Sequence, residues 1–209
     1  PDLRAAQITT DDGSRWVFPQ GSAERRSSDG AGRGAGRMLP PPVTYDVGPM
    51  AALASKLLAP GRKAPAISTI DHTGTKRTLA ECKGRYVVLF FYPKDMTSGC
   101  TVEAQQFQAL LGAFKRAGTV VVGVSRDSCA SHRKFIDKEG LKYALLSDAD
   151  EALCTLFDVI REKNMYGKKV MGIERSTFLI GADGKLLAEW RKLKADGHAA
   201  EVLAAAKAS

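Results

Sequence analysis

Long apolar stretches are the first thing this 209-residue chain lacks. Its most hydrophobic run, Val87-Val88-Leu89-Phe90-Phe91, is strand length. A membrane span needs roughly 18–20 apolar residues in a row, so no membrane role is expected. Cysteine and histidine are also scarce, with four Cys (82, 100, 129 and 154) and three His (72, 132 and 198). No two cysteines have C-x-x-C spacing. That removes the closely spaced ligand pairs of a structural zinc site and the dithiol of a disulfide-exchange protein. Four cysteines over this length do not make a disulfide scaffold either, which points to a reducing, cytoplasmic setting.

Acidic charge is in deficit, with 31 Lys and Arg against 23 Asp and Glu, a net charge of +8 and a pI near 9.4. Nucleic acid is the partner such a balance raises. The excess lies beyond residue 49, because residues 1–49 hold six Arg and six acidic side chains. There it is scattered, apart from short clusters at Lys168-Lys169 and Arg191-Lys192-Leu193-Lys194, without interleaved aromatics or a helix-turn-helix spacing. The expectation is a solvated basic surface and no nucleic-acid partner.

Composition divides the chain at about residue 49. Ser22–Gly36 is rich in Gly, Ser, Arg and Ala, and Pro40-Pro41-Pro42 follows. Such a segment has too little apolar surface to offset the entropy of ordering it, so residues 1–49 are expected to be a disordered leader. No apolar stretch follows Arg25-Arg26, as a secretory signal would need. Residues 50–209 are expected to form one domain. Ala66–Ile70 and Arg77–Leu79 flank a turn and read as an N-terminal hairpin. Tyr86–Tyr92 and Thr119–Val124 read as buried strands, and helices are predicted over about 100–117, 128–139, 148–157 and 198–207. Gly181-Ala182-Asp183-Gly184 marks a second hairpin. This order is that of an α/β domain with a thioredoxin-like fold, a central mixed β-sheet flanked by helices.

The segment Tyr92-Pro93-Lys94-Asp95-Met96-Thr97-Ser98-Gly99-Cys100-Thr101-Val102-Glu103 carries the chemistry. It sets a cysteine in the first turn of a helix, just after a strand and a short loop. Free N–H groups and the positive end of the helix dipole favour an anion there. A thiol in such a place typically has its pKa lowered from about 8.5 into roughly the 3.5–7.5 range, which makes the nucleophilic thiolate abundant. Thr97 can offer a hydroxyl to the sulfur or to a bound oxygen. Pro93 can shield the sulfur from water, and Glu103, one turn on, can hold a basic residue.

Pro93, Thr97 and Cys100 in P-x-x-x-T-x-x-C, with Phe91-Tyr92 before and Thr101-Val102-Glu103 after, resemble the peroxiredoxin active-site signature. Gly123–Ser128, Asp150–Ile160 and Gly172–Phe178 extend the resemblance across about residues 60–207, toward the peroxiredoxin Q branch, also called bacterioferritin comigratory protein. The resemblance implies a thiol-dependent peroxidase acting on hydrogen peroxide and organic hydroperoxides, without metal, haem or flavin, and a monomer. It makes Cys100 the peroxidatic cysteine, Thr97 the hydroxyl that positions peroxide and Pro93 the residue that closes the pocket. Arg175 matches the family's active-site arginine, which would stabilise the thiolate and the charge on the departing oxygen.

One departure concerns the second half of the reaction. The resolving cysteine that many members carry five residues after the peroxidatic one is Gln105 here, and the alternative position in the second helix is Ile136. Cys129, two helical turns before Ile136, is the one internal candidate. The expectation is therefore a one-cysteine enzyme resolved by thioredoxin or a small thiol, with internal resolution by Cys129 as the alternative. A non-enzymatic, chaperone-like or binding role would leave Pro93, Thr97, Cys100 and Arg175 unexplained.

Overall fold

Strand β5 (Tyr86–Phe91) is apolar on both sides, so it must be covered on both sides, and Val87–Phe91 are all buried. In the computed structural model, which describes residues 58–165 and 168–209 and the backbone of two strands nearer the N-terminus, β5 lies inside a seven-stranded sheet. It runs parallel to β6 (Thr119–Ser125), which runs parallel to β7 (Ala144–Ser147). On its other side β10 (Ser176–Ile180) is antiparallel to it, and β11 (Leu186–Arg191) closes that edge. The hairpin of β3 (Ser68–Asp71) and β4 (Lys76–Thr78) closes the opposite edge, giving the order β11-β10-β5-β6-β7-β3-β4. The fold is the expected α/β arrangement, a mixed sheet flanked by helices with the hairpin in place.

Alternate residues of β5 point to opposite faces. Val88, Phe90 and Tyr92 enter a core with Phe107 and Phe114 of α1 (Ser98–Arg116) and Val202 of α4 (His198–Ala208). Val87, Leu89 and Phe91 enter a second core with Phe157, Ile173 and Phe178. Phe90 and Phe107 stack with ring centres 4.6 Å apart. Gly123 of β6 makes this possible, because a Cβ there would lie 2.8 Å from Phe90 Cζ and 2.6 Å from Leu145 Cδ2.

Helix α2 (Cys129–Glu139) runs from an N-cap at Ser128, whose hydroxyl accepts from the Ser131 N–H, to Gly140 in the left-handed region. The helix expected over 148–157 shortens to α3 (Ala152–Leu156). The Asp148 carboxylate explains this: it accepts from the N–H groups of Leu153 (2.9 Å) and Cys154 (2.7 Å), and so acts as a cap rather than as a helical residue. A hairpin of β8 (Ile160–Met165) and β9 (Lys168–Ile173) was not expected, since its charged sequence shows no apolar alternation.

Contacts separate two units, Pro1–Thr44 and Tyr45–Ser209. In the first, β1 (Gln7–Thr9) and β2 (Arg15–Val17) pair antiparallel. Otherwise the leader expected over residues 1–49, and its boundary with the domain, lie outside the described residues.

Candidate active site around Cys100

The sheet register assembles this site. Ser176 of β10 pairs with Phe91 of β5, so Arg175 and Tyr92, each one residue beyond the pair, emerge at the same end of the sheet. Arg175 therefore sits in the two-residue link before β10 rather than on the strand itself. The chain leaves β5 through Pro93–Thr97 and starts α1 at Ser98, which makes Cys100 the third helical residue. Its side chain turns inward and is 2% exposed. Arg175 Nη2 donates to Cys100 Sγ at 3.3 Å, and Nη1 donates to the carboxylate of Glu103, one helical turn further on. One guanidinium thus spans the thiol and a buried acid, using the two-pronged geometry that arginine alone provides.

Glu103 is fully buried, and its other oxygen, Oε1, has no hydrogen-bond partner among the described residues. Burial pushes its carboxyl up to about 7, against the pull of Arg175. For Arg175 itself, burial works against the charge, but Glu103 and Cys100 outweigh it and hold the guanidinium protonated. The Tyr143 hydroxyl donates to the Ala104 carbonyl at 2.9 Å, and burial together with the Glu103 charge pushes its ionisation upward. The site thus presents a fixed cation to the sulfur inside a largely apolar wall.

The remaining sequence candidates are placed as follows. Pro93 is half-buried beside the loop. Thr97 is exposed, its hydroxyl donates to the Lys94 carbonyl at 3.1 Å, and as N-cap it makes no side-chain capping bond. Gln105 donates to Glu139 at 2.7 Å, linking α1 to α2, and Ile136 packs against the first core. All four cysteines are free. Cys129, half-buried, opens α2. Cys154 is fully buried, and burial followed by the Asp148 charge pushes its thiol up, so it is inert as a nucleophile. Cys82 is half-buried, and burial raises its thiol too.

Sequence reading missed a second polar cluster behind the loop. The Asp95 carboxylate accepts from the Tyr92 hydroxyl (2.7 Å), the Ser131 hydroxyl (2.7 Å) and His132 Nδ1 (2.9 Å). Asp95 and His132 are both buried. The available signal was His132 itself, on the apolar stripe of α2 three residues before buried Phe135, where a titratable side chain requires a partner.

At this site a helix-start thiol is contacted by an arginine that also holds a buried glutamate. Residues 60–188 match the model of the AhpC/TSA family. The chain belongs to that family. It is 56% identical over 135 residues to peroxiredoxin Bcp of Xanthomonas campestris pv. campestris, covering 65% of this chain and 84% of that protein. It is 47% identical over 143 residues to peroxiredoxin Bcp of Bacillus subtilis, covering 68% and 91%. A solved structure of Xanthomonas campestris peroxiredoxin Q matches with a TM-score of 0.65 at 54% identity, over 68% of this chain and 90% of that one. These place the chain in the Bcp, or peroxiredoxin Q, branch, with the thiol-dependent peroxidase activity, the hydroperoxide substrate and the thiol reductant that the family implies. In this peroxiredoxin no helix of the described residues is long and apolar enough to cross a membrane.

Proposed function

We propose that Cys100 is the peroxidatic nucleophile and that it works as a one-cysteine peroxidase. The observation that carries this reading is the 3.3 Å contact from Arg175 Nη2 to Cys100 Sγ at a helix start. The Cys100 thiolate attacks one oxygen of ROOH, the O–O bond breaks, and the departing RO⁻ takes a proton to leave as alcohol or water. Cys100 is left as a sulfenic acid. Arg175 lies where it can stabilise the thiolate and then the charge growing on the departing oxygen. Pro93 would narrow the pocket mouth, and Thr97 would turn its hydroxyl from the Lys94 carbonyl to the bound peroxide.

A thiol R′SH then condenses with the sulfenic acid, releasing water and leaving a Cys100–SR′ disulfide, which a second thiol reduces. With Gln105 engaged to Glu139 and Ile136 packed in the core, neither usual partner position holds a thiol. An external thiol, a thioredoxin or a small molecule, is the reading we adopt, and Cys129 on α2 is the internal alternative. In a peroxide-consumption assay with dithiothreitol, Cys100→Ser is expected to lose turnover entirely, and Cys129→Ser to retain it. Activity surviving Cys100→Ser would overturn the assignment. Loss of turnover in Cys129→Ser, with the first oxidation spared, would overturn external resolution.

A further inference from the structure

Strand β6 is the central one of the seven and runs parallel to both neighbours, β5 and β7. Such a strand is normally covered on both faces. One face of β6 is: Val121 is buried in the first core. On the other face Val120 and Val122 are only half-buried, as is Ala144 at the start of β7. Above them lies a cleft of about 180 Å³, between the sheet and the 3₁₀ turn Leu79–Cys82. Ile67, Leu79, Val87, Leu89, Val122 and Leu146 make its walls largely apolar, and Cys82 opens onto it.

A second cavity, of about 390 Å³, adjoins the cleft at the end of the sheet where β5, β6 and β7 begin. Arg85, Val120 and Ala144 line both. Its remaining lining combines the apolar Leu111 and Val121 with the cations Lys115 and Lys142. Charge here is unbalanced. Arg77, at the edge of the cleft, is tied to Asp71 at 2.8 Å and to Glu81 at 3.4 Å. The Glu81 carboxylate also accepts from the N–H and hydroxyl of Thr78. Among the described residues no carboxylate pairs with Arg85, Lys115 or Lys142, and Arg85 reaches only as far as the Glu81 carbonyl, at 3.4 Å. Arg85 precedes β5 and Cys100 follows it, so six strand residues at about 3.3 Å each keep this place roughly 20 Å from the reacting end of the sheet.

We propose that the two cavities form one binding site for a free anionic amphiphile, a carboxylate on an unbranched alkyl chain. The head lies among Arg85, Lys115 and Lys142, and the tail lies in the cleft over Val122 and Leu146. Each half of the site calls for one half of the ligand. A small inorganic anion would leave the apolar cleft wet, and a neutral hydrocarbon would leave three cations with nothing to offset their repulsion. Together the cavities have the size of a small-molecule site, which is roughly 300–1,000 Å³. A bilayer is flat, whereas this cleft is a slot beneath a 3₁₀ turn that admits one chain, so the ligand is a dissolved molecule and not a membrane surface. None of these residues takes part in the peroxide chemistry, and the site stands or falls independently of it.

The test uses the full chain and dodecanoate below its micellar concentration. Two quantities are read: the Kd by calorimetry, and the alkylation rate of each cysteine by iodoacetamide, resolved by peptide mass spectrometry. Dodecanoate should bind saturably and slow alkylation of Cys82, which opens onto the cleft, while Cys129 on α2 reacts as before. From octanoate through decanoate to dodecanoate, each added methylene should tighten Kd by up to about fourfold. Arg85→Gln and Lys142→Gln should each weaken binding by up to about fivefold, the range of an exposed ion pair. Val122→Phe puts a ring into the cleft and should abolish the protection of Cys82. Dodecylammonium, with the same tail and the opposite charge, should give no protection. The proposal is overturned if dodecanoate leaves Cys82 alkylation unchanged, if dodecylammonium protects as well as dodecanoate does, or if Kd is indifferent to chain length. Dodecanoate that slowed Cys100 oxidation without protecting Cys82 would put it in the peroxide pocket, and flotation of the protein with phosphatidylglycerol vesicles, again without protection by dodecanoate, would make this end of the sheet a membrane contact. Either result also overturns the proposal.

Discussion

Glu103 gives the sharpest test of the electrostatics around Cys100. Its carboxyl stands at 4.5 in the unfolded chain and is pushed up to about 7 in the folded one, because burial outweighs the attraction of Arg175. The folded protein therefore binds this proton more tightly than the unfolded chain does. Stability from this residue is greatest below pH 4.5, falls as pH rises toward 7, and is level above it. At about 1.4 kcal/mol per pH unit, the fall amounts to about 3 kcal/mol. Glu103→Gln keeps an oxygen for Arg175 and cannot ionise, so it removes the fall. We expect urea unfolding at pH 4.5, 6 and 8 to show the glutamine variant gaining on the wild type by about 3 kcal/mol across the range. In melting temperature that is about 6–12 °C for a domain of this size. Both proteins should carry Cys100→Ser, so that no thiol titration enters the comparison. Parallel stability curves would refute the argument. A wild type that gained on the variant with rising pH would show that the ion pair with Arg175, rather than burial, governs the site.

Two further substitutions probe the parts that place this pair. Arg175→Lys keeps a cation but offers one ammonium where a fork bridges Cys100 and Glu103, so the rate constant with hydrogen peroxide in stopped flow should fall about 10²-fold while the protein stays folded; a rate within a factor of two of the wild type would show that charge alone suffices. Gly123→Ala sets a methyl 2.6 Å from Leu145 Cδ2 and 2.8 Å from Phe90 Cζ, both in a packed core. It should cost about 1–3 kcal/mol in urea unfolding, and an unchanged midpoint would show that Phe90 repacks without strain.

Much of this molecule was legible because single residues carried unambiguous local physics. Val87–Phe91 had to be a strand buried on both faces, and Gly140 had to end α2, which it does at φ 65. The Cys100 segment was legible as chemistry because Pro93 and Thr97 stand before it in the spacing of a family signature; a helix-start cysteine taken alone is more often a packing residue. Arg175 was legible only through family resemblance. What brings it to the sulfur is the pairing of Ser176 with Phe91, a register no local pattern encodes. The expected 148–157 helix failed for a related reason: Asp148 favours a helix start by charge, but here its side chain bonds the Leu153 and Cys154 N–H groups from outside the helix. The Asp95 cluster was illegible because its members come from sequence positions 92, 95, 127, 131 and 132, and only the sheet and α2 bring them together.

The two buried carboxylates near Cys100 show how one environment sorts identical chemistry into different roles. Burial works against ionisation of both. Around Asp95, His132 and the Ser131 and Tyr92 hydroxyls outweigh it, and the carboxyl is held below its usual range. Among the described residues Arg175 is the only hydrogen-bond partner of Glu103, one oxygen has no donor, and the carboxyl rises. Asp95 is therefore a permanent anion, suited to holding a loop. Glu103 is only partly ionised near neutrality, so it orients Arg175 without cancelling its charge. A fully ionised glutamate at that distance would draw the guanidinium's field away from Sγ. Holding Glu103 near pH 7 leaves positive charge directed at the sulfur, where on the proposed reading the thiolate forms and the peroxide bond breaks.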